Sequence, residues 1–229
     1  MSQRVEVVAK LLSANDRLAE ANRASLDQAE LFAINVLASP GAGKTTLIER
    51  TVRGLAPSLR LAVIDGDLAT TLDADRAAAA GAQAVQINTG GECHLDAGMV
   101  RDGLAQLPLA ALDLLIIENV GNLICPAQFK LGAHRTVLVA SVPEGDDKPY
   151  KYPGSYRGVD ALILNKIDLL PYVPFRGGHF WRGVEALNPD AARFELSCQT
   201  GAGLESWLAW LTSQVSAYRA RRPPEMATA

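Results

Sequence analysis

Residues 33–46, AINVLASPGAGKTT, hold the most chemically specific spacing in the chain. A short apolar run ends in a glycine-rich turn that closes on Gly43-Lys44-Thr45 and continues into Thr46. Gly41 and Gly43 flank Ala42 and let successive backbone N–H groups turn toward one anion with no Cβ in the way. Lys44 adds a point charge for β- and γ-phosphates, and Thr45 offers a hydroxyl to Mg²⁺. A helix starting near Thr45 aims its positive end at the same place. The run departs from G-x-x-x-x-G-K-[ST] at one position, where Ala38 stands for the first Gly.

A second constellation names the base. Asn165-Lys166-Ile167-Asp168 directly follows the apolar run Ala161 to Leu164. A carboxylate at Asp168 accepts from N1–H and the exocyclic amine of guanine. Adenine has an acceptor at N1 and no 2-amino group, so it would leave that carboxylate unpaired. Sites built on such polar pairing discriminate by about 10⁴ or more. Ser197 and Cys198, at the end of the following strand, sit where they back up the base pocket. A third set should sense the γ-phosphate. The run Leu114 to Ile117 ends in Glu118-Asn119-Val120-Gly121, with Glu118 in the carboxylate position and Gly121 offering its N–H. Asp65-Gly66-Asp67 supplies a further carboxylate for Mg²⁺, and Asp67 is preferred because it lies nearer the helix that follows.

Soft donors form the last group. Cys93-His94 follows Gly90-Gly91, and Cys125 follows Gly121 by four residues. Thiolate and imidazole suit Zn²⁺ or Ni²⁺ rather than Mg²⁺. On loops beyond the carboxyl ends of strands they lie on the nucleotide side of an α/β sheet. Three donors leave a metal with open positions, or invite a second chain to complete the set. A nucleotide-linked homodimer with metal at its interface follows as an expectation. His134 and His179 read as ordinary surface or turn histidines, and Cys198 as no ligand.

These residues need a scaffold that brings strand ends together. Apolar runs recur at Leu31–Leu37, Leu61–Ile64, Ala84–Ile87, Leu114–Ile117, Thr136–Val139 and Ala161–Leu164, with a last strand near Arg193–Ser197. Most are short and lack strict alternation, as strands covered on both faces do. Long Ala-rich segments between several of them suit crossover helices. The pattern reads as a three-layer α/β fold with a mostly parallel sheet and helices on both faces. Residues 1–29 read as an N-terminal amphipathic helix packed on the domain, 30–218 as the nucleotide-binding domain, and 219–229 as a disordered tail. A final helix spans Leu204 to Tyr218, with Trp207 and Trp210 packing. The chain has 229 residues, a formal net charge of −3 and 48% hydrophobic residues, which suits one soluble domain with a full core. The near-neutral balance argues against nucleic acid. No apolar run reaches membrane-spanning length, and the three cysteines fit a reducing, cytoplasmic setting rather than a disulfide framework.

At this point the sequence resembles a known family. ASPGAGKTT, GECHLDAGMV (91–100), IENVGNLICP (117–126), PEGDDKPYKYP (143–153) and LNKIDLLPY (164–172) resemble the HypB-type nickel-insertion GTPases of [NiFe]-hydrogenase maturation. The resemblance covers about residues 30 to 215. The related urease accessory GTPase carries Cys-Pro-His in its metal loop, whereas Cys93 and His94 are adjacent here. The resemblance implies a P-loop GTPase that binds GTP and GDP with Mg²⁺ and dimerises with nucleotide. It implies Zn²⁺ or Ni²⁺ on Cys93, His94 and Cys125. The implied partners are a HypA-type nickel metallochaperone and the hydrogenase large-subunit precursor. It also places Lys148 near the nucleotide or the dimer contact. Residues 1–30 hold no Cys and no His, so any nickel role rests on the GTPase domain. A regulatory GTPase with structural zinc, or a maturation GTPase for another nickel enzyme such as urease, are the alternative readings. No Gln follows Gly121 to orient an attacking water, so intrinsic hydrolysis should be slow. A steady-state assay of the purified protein checks this; many turnovers per second without a partner would contradict it.

Overall fold

The computed structural model describes residues 7–67 and 72–221. A seven-stranded sheet runs β3-β2-β4-β1-β5-β6-β7, and every neighbouring pair is parallel. The strands are β1 (Phe32–Ala38), β2 (Leu61–Asp67), β3 (Gln83–Asn88), β4 (Leu114–Glu118), β5 (Arg135–Ser141), β6 (Ala161–Asn165) and β7 (Ala192–Glu195). Parallel neighbours need crossovers, and helices supply most of them. The helices are α1 (Val7–Gln28), α2 (Lys44–Leu55), α3 (Leu72–Ala80), α4 (Ala97–Leu104), α5 (Lys148–Lys151), α6 (Pro153–Arg157), α7 (Gly177–Leu187) and α8 (Leu204–Ala220); α1 precedes the sheet and α8 follows it.

Side chains of β1 leave the strand on alternate faces and so build different cores. Ile34 and Val36 pack with Leu47, Val52, Trp207 and Leu211, from α2 and α8. Ala33 joins Leu26 of α1 and Val100 of α4 on the other face, and Leu37 joins Tyr156 of α6 and Phe180 of α7. Burial on both faces explains why β1, β4 and β6 read as mostly apolar runs without strict alternation. Trp207 is packed as expected, and its indole N–H donates to Thr51 Oγ1 at 2.8 Å.

Two expectations change. The final helix extends to Ala220, and Arg219 is not part of a tail: its guanidinium pairs with Asp113. Arg60 grips the same carboxylate through its side chain at 2.6 Å and its backbone N–H at 2.7 Å. Those contacts, led by the Arg60 side chain, hold Asp113 far below the usual carboxylate range. Residues 222–229 lie outside the described residues. His134 is not a surface histidine, for its side chain is only 7% exposed. Its Nδ1 accepts from the Ala33 N–H at 2.9 Å, and its Nε2 faces Asp27 Oδ1 at 3.0 Å. The ring stacks on Phe32, and Tyr218 Oη donates to the same Asp27 oxygen at 2.7 Å. One imidazole thus ties the end of α1 to β1, and Asp27 extends the tie to α8.

With Nδ1 accepting, the ring must be neutral, and burial lowers its pKa from the free value despite Asp27. A histidine neutral in the fold and easier to protonate when unfolded contributes stability above about pH 6.5. That contribution fades as pH falls through the lower folded value. We expect His134→Leu to cost about 1–3 kcal/mol at pH 7.5, since it leaves the Ala33 N–H unpaired. The difference from wild type should shrink toward pH 5. Urea midpoints across that range check it, and a pH-independent difference would contradict it.

Candidate functional site

The glycine-rich turn leaves β1 at Ala38 and enters α2 at Lys44. Gly43 caps α2 in a left-handed conformation (φ 95°), and a Cβ there would lie 2.5 Å from Asn165 Nδ2. Both its backbone and its surroundings therefore require glycine. Lys44 and Thr45, the first two residues of α2, converge on one atom. Lys44 Nζ and Thr45 Oγ1 each lie 2.6 Å from Glu118 Oε1. Thr46 stands one residue on and accepts from Arg76 of α3 at 3.2 Å.

Glu118 is fully buried at the end of β4. In the parallel register it lies directly beside Asp65 of β2, so the two carboxylates share one face of the sheet. Asp73, in the first turn of α3, completes a group whose oxygens lie within 4.8 Å of one another. Among the described residues, Glu118 Oε2 and Asp65 Oδ2 are buried without a hydrogen-bond partner. Burial, and next the Glu118 charge, push Asp65 up to about 7. Buried carboxylates with orphaned oxygens beside a lysine and a threonine hydroxyl fit a divalent cation. Asp67, preferred from the sequence, ends β2 two residues beyond the last β2–β4 pair and lies outside this group. Asp73 is signalled in the sequence only as an acidic residue six positions after Asp67.

The segment after Glu118 lies against the phosphate loop. Asn122 forms an antiparallel bridge with Ala38, and a Cβ on Gly121 would stand 3.3 Å from Pro40 Cα. A larger residue there would push the two backbones apart by a few tenths of an ångström. Behind them, buried Asn119 accepts from the N–H of Val120 and of Leu95, each at 3.0 Å.

Asn165 links the base loop to the phosphate loop. Its Nδ2 donates to Ala42 O at 3.0 Å, and its Oδ1 accepts from Lys166 N and Cys198 N. Lys166, in a left-handed conformation, reaches Gly41 O at 2.5 Å. Ser197 Oγ donates to Asp168 Oδ1 at 2.5 Å, fixing that carboxylate. Cys198 is buried, which pushes its thiol up to about 11 and makes it inert.

Cys93, His94 and Cys125 come together, with their donor atoms within 4.8 Å of one another. Adjacent residues rarely converge, but a turn through Gly90 and Gly91, both at positive φ, gathers them. Cys93 Sγ lies 3.8 Å from His94 Nδ1, and the His94 ring packs on Phe129. The neighbouring Cys125 thiol, together with desolvation, raises the Cys93 pKa, so a metal must displace its proton. Asn122 donates to Cys93 O at 3.3 Å, which joins this loop to the segment after Glu118. His179 of α7 stacks on Tyr150 of α5, and Lys148 opens α5 with Nζ 5.5 Å from the Tyr152 ring. Neither belongs to the group of soft donors.

Comparisons with known proteins place the fold among related chains. The model of the CobW/HypB/UreG nucleotide-binding domain matches residues 32–194. The chain is 45% identical to the hydrogenase maturation factor HypB of Escherichia coli K12, over 93% of this chain and 74% of that one. It is similar to the crystal structure of HypB from Archaeoglobus fulgidus (TM-score 0.84, 38% identity, 89% of this chain and all of that one). It is also similar to Helicobacter pylori HypB crystallised in complex with nickel (TM-score 0.85, 35% identity, 94% of this chain and all of that one). No helix among the described residues is long and apolar enough to cross a membrane.

An Asp65 titrating near neutrality predicts a pH signature. Below pH 7 its proton competes with a cation, so Mg²⁺-dependent nucleotide affinity should rise from pH 6 to pH 8. Asp65→Asn should weaken the Mg²⁺ dependence at least tenfold and flatten that rise. Nucleotide titrations at several Mg²⁺ concentrations check this, and an unchanged slope in the variant would contradict it.

Proposed function

Because the chain belongs to the CobW/HypB/UreG family, on its HypB branch, we propose that it is a slow GTPase that hands nickel to a hydrogenase large-subunit precursor. The observation that carries this reading is a continuous path. The peptide leaving Glu118, where Lys44 and Thr45 point, passes Gly121 against the phosphate loop and reaches Cys125 within a few residues. One short segment therefore touches the phosphate site at one end and the soft donors at the other.

The chemistry follows from the donors present. The guanine edge is read by Asp168, held by Ser197, while Asn165 and Lys166 join that loop to the phosphate loop. Gly41, Ala42 and Gly43 present backbone N–H groups to the β-phosphate. A γ-phosphate competes with Glu118 for Lys44, and the freed carboxylate and Gly121 N–H then respond to it. Thr45, Glu118 and Asp65, with Asp73 at hand and Asp67 farther out, would hold Mg²⁺, which neutralises charge on the phosphates. Asn122 stands where some GTPases carry a water-orienting Gln, which supports a slow intrinsic rate.

Nickel, or zinc in its place, is the cargo of Cys93, His94 and Cys125. Three donors on two partly exposed loops leave coordination positions open, as transfer requires and a closed structural site would not. A second copy pooling its own donors would complete the set, which makes a homodimer the natural holding state. A HypA-type metallochaperone is the expected partner in the exchange.

Two substitutions test the two halves separately. Asp168→Asn exchanges an acceptor for a donor and should move preference from GTP toward XTP by at least about a hundredfold. Cys125→Ala should abolish stoichiometric nickel binding, read from thiolate-to-nickel absorption, while leaving GTP affinity within about threefold. A Cys125→Ala protein that binds nickel as wild type does would defeat the metal assignment, and an Asp168→Asn protein that still prefers GTP would defeat the base assignment.

A further inference from the structure

The N-terminal helix carries two asparagines that amphipathic patterning assigns to solvent, yet Asn15 and Asn22 are buried, at 6% and 2% exposure. Each bridges the same two segments. Asn15 Oδ1 accepts from the Ala97 N–H at 2.8 Å, and its Nδ2 donates to Lys130 O at 2.9 Å. Asn22 Nδ2 donates to Ala97 O at 2.8 Å and to Leu131 O at 3.1 Å. Ala97 stands three residues after His94, and Lys130 and Leu131 five and six after Cys125. The two ligand-bearing loops are therefore tied to each other at their trailing ends, through α1.

Leu131 is buried in the core shared with Leu26 of α1. A cavity of about 540 Å³ lies along the segment, lined by Ala19 and Arg23 of α1 as well as by Pro126, Phe129 and Ser155. Among the described residues, the side-chain hydrogen bonds to residues 126–133 come from α1. Arg23 adds bonds to Gly132 O at 2.6 Å and to Ala133 O, and a Cβ on Gly132 would stand 2.7 Å from Ala19 O. Phe129, just before Lys130, is the ring on which His94 rests. A shift of this segment relative to Ala97 moves Cys125 and the His94 support together.

The geometry points to Asn15 and Asn22 as positioning residues for the nickel site: α1 sets the spacing of Cys93 and His94 relative to Cys125 without touching metal. This rests on the reading of those three residues as the metal ligands. A soft-donor site is sensitive to such spacing, because affinity depends on holding the ligands in place before the ion arrives. Polar side chains that bond backbone on two separate segments achieve this where apolar packing would let the segments slide.

The test uses the full chain with Asn15→Ala and Asn22→Ala, and with Asn15→Ser should the alanine variant not fold. Asp27→Asn serves as the control: it loosens the far end of α1 from His134 and Tyr218 while leaving the bonds to Ala97, Lys130 and Leu131 in place. Nickel affinity, GTP-analogue affinity and thermal midpoint are measured for each. The expected result is nickel affinity at least tenfold weaker in the asparagine variants, with GTP-analogue affinity within twofold. Asp27→Asn should lower the thermal midpoint and leave nickel affinity unchanged. Unchanged nickel affinity in the asparagine variants would overturn the inference. So would losses that merely track thermal midpoint across all variants, Asp27→Asn included. Cys125→Ala is run beside them: if it retains wild-type nickel binding, the metal assignment fails rather than the clamp.

Discussion

The parallel pairing of β1 with β4, in a register that sets Val36 beside Glu118, is the constraint on which the site depends. Both strands are buried on both faces and cannot slip without moving apolar side chains out of two cores at once. That register puts the start of the phosphate loop and the peptide after Glu118 side by side. It allows the Ala38–Asn122 bridge and the Gly121–Pro40 approach. The neighbouring β2–β4 pair then sets Asp65 against Glu118 by the same logic. Two strand pairings therefore bring together the glycine-rich loop, the carboxylate group and the segment after Glu118.

Buried asparagines carry the arrangement outward. Asn165 joins the base loop to the phosphate loop, Asn119 joins the Cys93-His94 loop to the sensor segment, and Asn15 and Asn22 join both ligand loops to α1. An amide offers a donor and an acceptor with no charge, so it can bridge two backbones in a core at little desolvation cost once satisfied. Such connections are also directional. A tenfold change in metal affinity between nucleotide states needs about 1.4 kcal/mol of differential interaction. That is the size of one or two of these hydrogen bonds.

Much of this was legible in the residues. Strand positions followed from apolar runs, and the phosphate loop, Asn165-Lys166-Ile167-Asp168 and Cys93-His94 with Cys125 followed from residue type and spacing. What escaped depends on lateral neighbours rather than on position along the chain. Asp67 looked better than Asp65 because it lies nearer the next helix, but strand register decides which carboxylate faces Glu118. His134 looked solvated because nothing local announces Asp27, more than a hundred residues away, as its partner. Arg219 looked like the start of a basic tail because Asp113 is reached only when α8 packs on the sheet. Asn15 and Asn22 sit in a polar stretch of an amphipathic helix, where burial is a tertiary outcome that periodicity cannot show.

The central claim is that occupancy of the phosphate site is felt at Cys93, His94 and Cys125 through the segment from Glu118 to Cys125. Equilibrium nickel titration of the GDP-bound and GTP-analogue-bound protein tests it most directly, with molecular mass followed in the same samples. The account predicts nickel dissociation constants that differ at least tenfold between the two states. Linkage requires the same factor to appear in GTP-analogue relative to GDP affinity when nickel is present. Equal nickel affinity in both states, with both ligands demonstrably bound, would contradict it.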